Sequence, residues 1–86
     1  MISKEDFIKS ATVEIVDKKE SSNLFNATTY KLRFTSPNCK DVWQQHIDIA
    51  NELLDQLVEG SIRFNKFLDD FKEDFYIAAI KADMIE

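Results

Sequence analysis

Apolar and polar residues alternate with two different periods along this chain. Ala11, Val13 and Ile15 fall on one side of an extended segment, and Thr12, Glu14 and Val16 on the other. From Thr28 to Thr35 the alternation is cleaner. Thr28, Tyr30, Leu32 and Phe34 share one face, while Thr29, Lys31, Arg33 and Thr35 share the opposite one. Period two in residues rich in Thr, Val, Ile, Tyr and Phe predicts strands over Ala11–Asp17 and Thr28–Thr35. The polar run Lys18–Asn23 between them predicts a hairpin with a loose loop.

Elsewhere the period is helical. Ser3 can cap a short helix ending near Ser10, with Asp6 as the reciprocal acceptor and Ile2 packing on Phe7. The longest helical pattern runs from Ser36 to Gly60. Ser36-Pro37 reads as its entry, with Asn38 and Asp41 as an alternative start two residues on, and Gly60 as a left-handed stop. Cys39, Trp43, Ile47, Ala50, Leu54, Leu57 and Val58 fall in one sector of that helix, with His46 and Leu53 at its edge. Ser61 can cap a further helix, in which Phe64, Phe67, Leu68, Phe71 and Phe75 recur at helical spacing. Phe75–Ile80 is an unbroken apolar run. Its length and its aromatic and β-branched content favour a strand, while the pair Ala78-Ala79 favours a continuing helix.

These elements predict an α+β domain over residues 1–86, in the order α-β-β-α-α-β. A small antiparallel sheet, the hairpin plus a C-terminal strand, packs its apolar face on two amphipathic helices. The expected core is Phe7, Val13, Ile15, Tyr30, Leu32, Phe34, Trp43, Ile47, Ala50, Leu54, Leu57, Phe64, Phe67, Leu68, Phe71, Phe75 and Ile77. With a single Gly and a single Pro, long regular elements should outnumber tight turns. At 86 residues and 44% hydrophobic, the composition is that of one globular unit.

Charge is unevenly placed. Residues 1–40 carry seven basic and five acidic side chains, and residues 41–86 carry four basic and eleven acidic. The net charge of −5 therefore hides a positive first half and a strongly negative second half. On the helix expected over Ser36–Gly60, Asp41, Asp48, Glu52, Asp55 and Glu59 gather opposite the core stripe. Asp48, Glu52, Asp55 and Glu59 would form one row over about 16 Å, from eleven residues at about 1.5 Å each. Like-charge pairs at i,i+4 weaken the helix that carries them, and acids near a helix C-terminus oppose its dipole. Asp69, Asp70, Glu73 and Asp74 extend the acidic character along the next helix.

No residue pattern points to catalysis. Cys39 beside Lys40 reads as a small buried hydrophobe, because no base is paired with it in sequence. His46 is the single histidine, and one His with one Cys is too few for a metal site. The acids lack the spacing of a calcium loop, and no Gly-rich phosphate loop exists. No cofactor, metal or catalytic residue is expected. The single Cys and the absence of an apolar run of about 20 residues point to a reducing, cytoplasmic compartment and to no membrane contact.

Carboxylates where local rules disfavour them suggest a surface kept for a partner. The expectation is a non-enzymatic binding protein that inhibits or regulates a basic protein, one that itself handles nucleic acid being a candidate. The row Asp48, Glu52, Asp55, Glu59 then imitates the spaced charges of a phosphate backbone. Direct contact with nucleic acid is not expected of so acidic a chain. Two alternatives differ in class. One is a structural or oligomerisation module, a homodimer included, whose acidic face is only solvated. The other is a nucleic-acid-binding module using the hairpin's outer face, where Lys31, Arg33, Lys18 and Lys19 make the one basic patch.

Overall fold

In a computed structural model, which describes residues 2–20 and 26–86, three antiparallel strands carry helices on one face. The order is α1 (Lys4–Ser10), β1 (Thr12–Glu20), β2 (Ala27–Thr35), β3 (Trp43–Ala50), α2 (Asn51–Gln56), α3 (Ile62–Asp69) and α4 (Lys72–Lys81). The strands form a simple meander with β2 in the middle. The α+β class and the small antiparallel sheet on amphipathic helices stand as the sequence predicts. Of the loop expected over Lys18–Asn23, Lys18 to Glu20 belong to β1, and the rest lies outside the described residues.

The third strand, however, is not C-terminal. It is Trp43–Ala50, taken from the middle of the expected helix Ser36–Gly60, of which only α2 remains helical. Trp43, Gln45, Ile47 and Ile49 lie opposite Phe34, Leu32, Tyr30 and Thr28, so they alternate onto the core face. Gln45 is polar at a core-facing position and so hid the period of two. A two-stranded hairpin is marginal on its own, and a third strand satisfies the second edge of β2. Gly60 does take the left-handed conformation, with φ +83°, but as part of the turn between α2 and α3.

Residues 75–80 are helix, not strand. The spacing Phe71, Phe75, Ala79 continues the buried stripe through α4, and Ala79 is fully buried. The helix expected across Phe64–Phe75 breaks at Asp70-Phe71, where amides bond three residues back, Asp70 to Phe67 and Phe71 to Leu68. The break moves Glu73 and Asp74 into the first turn of α4, where a helix dipole favours carboxylates. Of the predicted caps, those at Ser3 and Ser61 form, while Ser36 and Asn38 open no helix. Ser3 accepts from the Asp6 amide at 3.2 Å and Ser61 from the Phe64 amide at 3.1 Å.

Phe7, Tyr30, Leu32, Phe34, Phe64 and Phe75 are fully buried and centre one continuous core. Burial of each such side chain contributes roughly 1.5–3 kcal/mol. The Phe75 ring joins the layers, with its centroid 5.1 Å from Phe7 of α1 and 5.6 Å from Phe34 of β2. Two core expectations fail. Ala50 lies on the outer face of the sheet, and Ile77 lies on the exposed side of α4. Ile49 and Ala79, outside the expected core, are buried in it. The C-terminal segment returns to the loop before β3. There the Lys40 amide donates to the Met84 carbonyl at 2.8 Å, and the Glu86 amide donates to Asn38 at 3.0 Å.

Candidate functional site

The fold splits the nine acidic residues between opposite ends of a molecule 44 Å long. Asp48, Glu52, Asp55 and Glu59 lie toward the hairpin-tip end. Asp41, Asp69, Asp70, Glu73 and Asp74 lie toward the other end, near α1 and the C-terminus. The single helical row does not form, because Asp48 is in a strand, Glu52 and Asp55 are in α2, and Glu59 is in a turn.

Each acid then meets different neighbours. Asp48 points from the outer face of the sheet and accepts from the Thr29 hydroxyl. Asp41 accepts from its own neighbour, the Val42 amide, at 2.8 Å. Glu73 pairs with Lys4, which ties α4 to α1. Asp69 pairs with Lys72 at 3.0 Å beside an open depression of about 200 Å³ lined by Thr12, Val13, Asn65 and Leu68. Ligand pockets usually hold about 300–1,000 Å³, so this depression is small for one. Asp70 and Asp74 are exposed and form no ion pair among the described residues.

Glu59 is structural rather than free. It lies 3.4 Å from the Lys18 ammonium, and the Tyr30 phenol lies within reach of its charge. A bulge between Ile15 and Asp17 makes this possible, since the extra residue turns Asp17 outward and Lys18 toward the core face. Lys18 then sits 5.8 Å from the centre of the Tyr30 ring. Burial first, then the Glu59 carboxylate, and lastly the charge of Glu20, push the Tyr30 phenol up from 10.0 to about 12. Sequence alternation alone placed Lys18 with the outer basic patch.

Glu52 and Asp55 remain exposed and without an ion pair among the described residues. Exposed apolar side chains, which the periodicity did not single out as a surface, follow them closely in the chain. Val58 is 63% exposed and Ile62 86%, with Leu53 partly exposed. A tight turn, closed by the Ser61 amide on the Val58 carbonyl at 2.9 Å, holds Val58 and Ile62 close together. The elbow between α2 and α3 therefore carries exposed apolar side chains, and the helix leading into it carries two unpaired carboxylates.

The outer sheet face is electrically mixed. The Arg33 Nε donates to Glu14 at 2.7 Å, Lys31 lies opposite Asp17 on one side and His46 on the other, and Asp48 is nearby. Cys39 is half-buried in the loop before β3, in a bridge with Ile85, while His46 is in mid-strand. Among the described residues no group of three His, Cys, Asp or Glu side chains could hold a metal ion. Among the described residues no helix is long and apolar enough to cross a membrane. No protein-family model matches the chain, and neither the curated proteins nor the solved structures contain a match to it.

Proposed function

We propose that this is a non-enzymatic binding protein of the cytoplasm that inhibits or regulates a basic protein partner, and that it docks through the α2–α3 elbow. The observation that carries this reading is the coincidence of Val58 and Ile62, both largely exposed, with the unpaired carboxylates Glu52 and Asp55. An apolar centre with a charged rim is the common anatomy of an interface, and the rim charge selects a partner rich in Lys and Arg. Asp70 and Asp74 lie at the other end and steer the partner only through the general negative field. A partner that itself handles nucleic acid fits this charge, and a second copy of the chain is a further partner the reading admits.

The oligomerisation module with a solvated acidic face leaves Val58 and Ile62 without a role unless copies meet there. The nucleic-acid reading loses support from the outer sheet face, where Glu14 pairs with Arg33 and Asp17 faces Lys31. A basic patch half neutralised by its own strands attracts phosphate poorly.

The test is capture of a basic partner from the native cell, followed by binding of that purified partner across a salt series. Glu52→Lys with Asp55→Lys, and separately Val58→Ser with Ile62→Ser, should each weaken binding while the melting temperature holds. The charge variant should act mainly on the association rate, and more so at low salt. Binding unchanged by both variants sinks the proposal.

A further inference from the structure

The two free edges of the sheet are built differently. β1 has a bulge between Ile15 and Asp17, and the Asp17 carboxylate accepts from the Lys18 amide at 2.9 Å. Lys18 and Lys19 follow in the same strand. A bulge, an occupied amide and edge lysines all oppose the addition of another strand. β3 has none of these. Its eight residues pair with β2 without a register shift and contain no Pro, Lys or Arg. Among the described residues no backbone hydrogen bond reaches its outer edge.

We infer that β3 is the surface through which a second copy of the chain adds, antiparallel and about a two-fold axis, to give a continuous six-stranded sheet. The occupant is argued from self-complementarity. Paired strands must put outer-face residues opposite outer-face residues, because a slip of one residue exchanges the faces. A two-fold antiparallel pairing that obeys this rule centres on one residue. Centred on Ile47, it sets Ile47 opposite the partner's Ile47, Gln45 opposite the partner's Ile49, and Gln44 opposite the partner's Ala50. It also sets His46 opposite the partner's Asp48, twice by symmetry, so an imidazole donor faces a carboxylate. Centred on Asp48, the pairing would oppose two carboxylates. Centred on His46, it would oppose two imidazoles and leave Asp48 facing Gln44. Only the Ile47 register sets His46 opposite Asp48, and the residue it places opposite itself is apolar.

Such an edge contact buries less than a standard interface, so the dimer is weak and forms with rising concentration. It shares no residue with the α2–α3 elbow, so either surface can fail without the other. Sedimentation of the full chain over a concentration series tests it. Within one copy His46 lies opposite Lys31 of β2. His46→Asp therefore adds a favourable cross-strand pair to the monomer, and its melting temperature should hold. In the dimer it puts two carboxylates opposite each other at both symmetric positions. The dissociation constant should rise at least about tenfold, or 1.4 kcal/mol. Adding Asp48→Lys to that variant should restore dimerisation. A wild-type chain that stays monomeric at about 1 mM, far above the micromolar range of modest complexes, overturns the inference. So does a dimer whose strength His46→Asp leaves unchanged, since its contact must then lie elsewhere.

Discussion

The Lys18 ammonium lies 3.4 Å from the Glu59 carboxylate, which ties the edge strand β1 to the elbow between α2 and α3. The contact depends on the bulge in β1, because without it Lys18 would face the outer side with Lys31. Tyr30 lies near both charges, its ring 5.8 Å from the Lys18 ammonium and its phenol pushed up by Glu59. The elbow that carries the proposed docking surface is thus fastened from below.

The raised Tyr30 phenol makes a prediction about alkaline stability. An acid whose pKa is higher in the fold than in the unfolded chain stabilises the fold while neutral. Its share is complete below 10.0 and is lost as pH rises through about 12. Two units correspond to a share on the order of 3 kcal/mol. Glu59→Gln leaves the burial in place, so the Tyr30 pKa should fall toward 10 without reaching it. Tyrosinate absorbance in a Tyr76→Phe background reads the shift from a single phenol. An unchanged titration curve would show that Glu59 does not act on Tyr30.

Trp43 lies between the sheet and α4, its centroid 5.2 Å from Phe34 and 6.2 Å from Phe75, stacked at 11° on the latter. It is half-buried, so Trp43→Ala should cost about 3 kcal/mol, the lower end of the range for a core aromatic. Urea unfolding measures the loss. As the single Trp, it should also emit to the blue of its position in the denatured chain. Native emission already matching the denatured chain would contradict this packing.

Gln45 faces the core opposite Leu32, and its Oε1 is buried without a hydrogen-bond partner among the described residues. An unsatisfied buried acceptor costs roughly 1–3 kcal/mol. Gln45→Met keeps the shape and removes the acceptor, so stability should rise by about 1 kcal/mol or more. A loss in the same unfolding assay would mean that the amide finds a partner in solution.

Glu52 and Asp55 share the six-residue helix α2, which has no basic residue in its last turn. Neutralising them to Gln and Asn removes a like-charge pair at i,i+3. The fold should hold or gain about 0.2–0.5 kcal/mol. Thermal melting decides this, and a fall of more than about 1 kcal/mol would be outside the usual effect of surface changes and assign them a structural role.

The sequence by itself determined the local features. The β2 alternation, the Ser3 and Ser61 caps, the left-handed Gly60 and the Phe64–Leu68–Phe75 stripe all follow from backbone sterics, capping and periodicity, which act within a few residues. The tertiary structure decided what depends on distant partners. Trp43–Ala50 fits a helical stripe as well as a strand until β2 offers it an unpaired edge, and Gln45 at a core-facing position obscures the difference. Residues 75–80 are apolar enough for either state, and packing of Phe75 and Ala79 against α1 and the sheet selects the helix. The acidic residues show the same division. Their identity and exposure were legible, but their grouping was not. The β1 bulge brings Lys18 to Glu59, strand β3 brings Asp48 to Thr29, and the placement of α4 after α3 and against α1 brings Asp69 to Lys72 and Glu73 to Lys4, while Glu52 and Asp55 remain without an ion pair among the described residues.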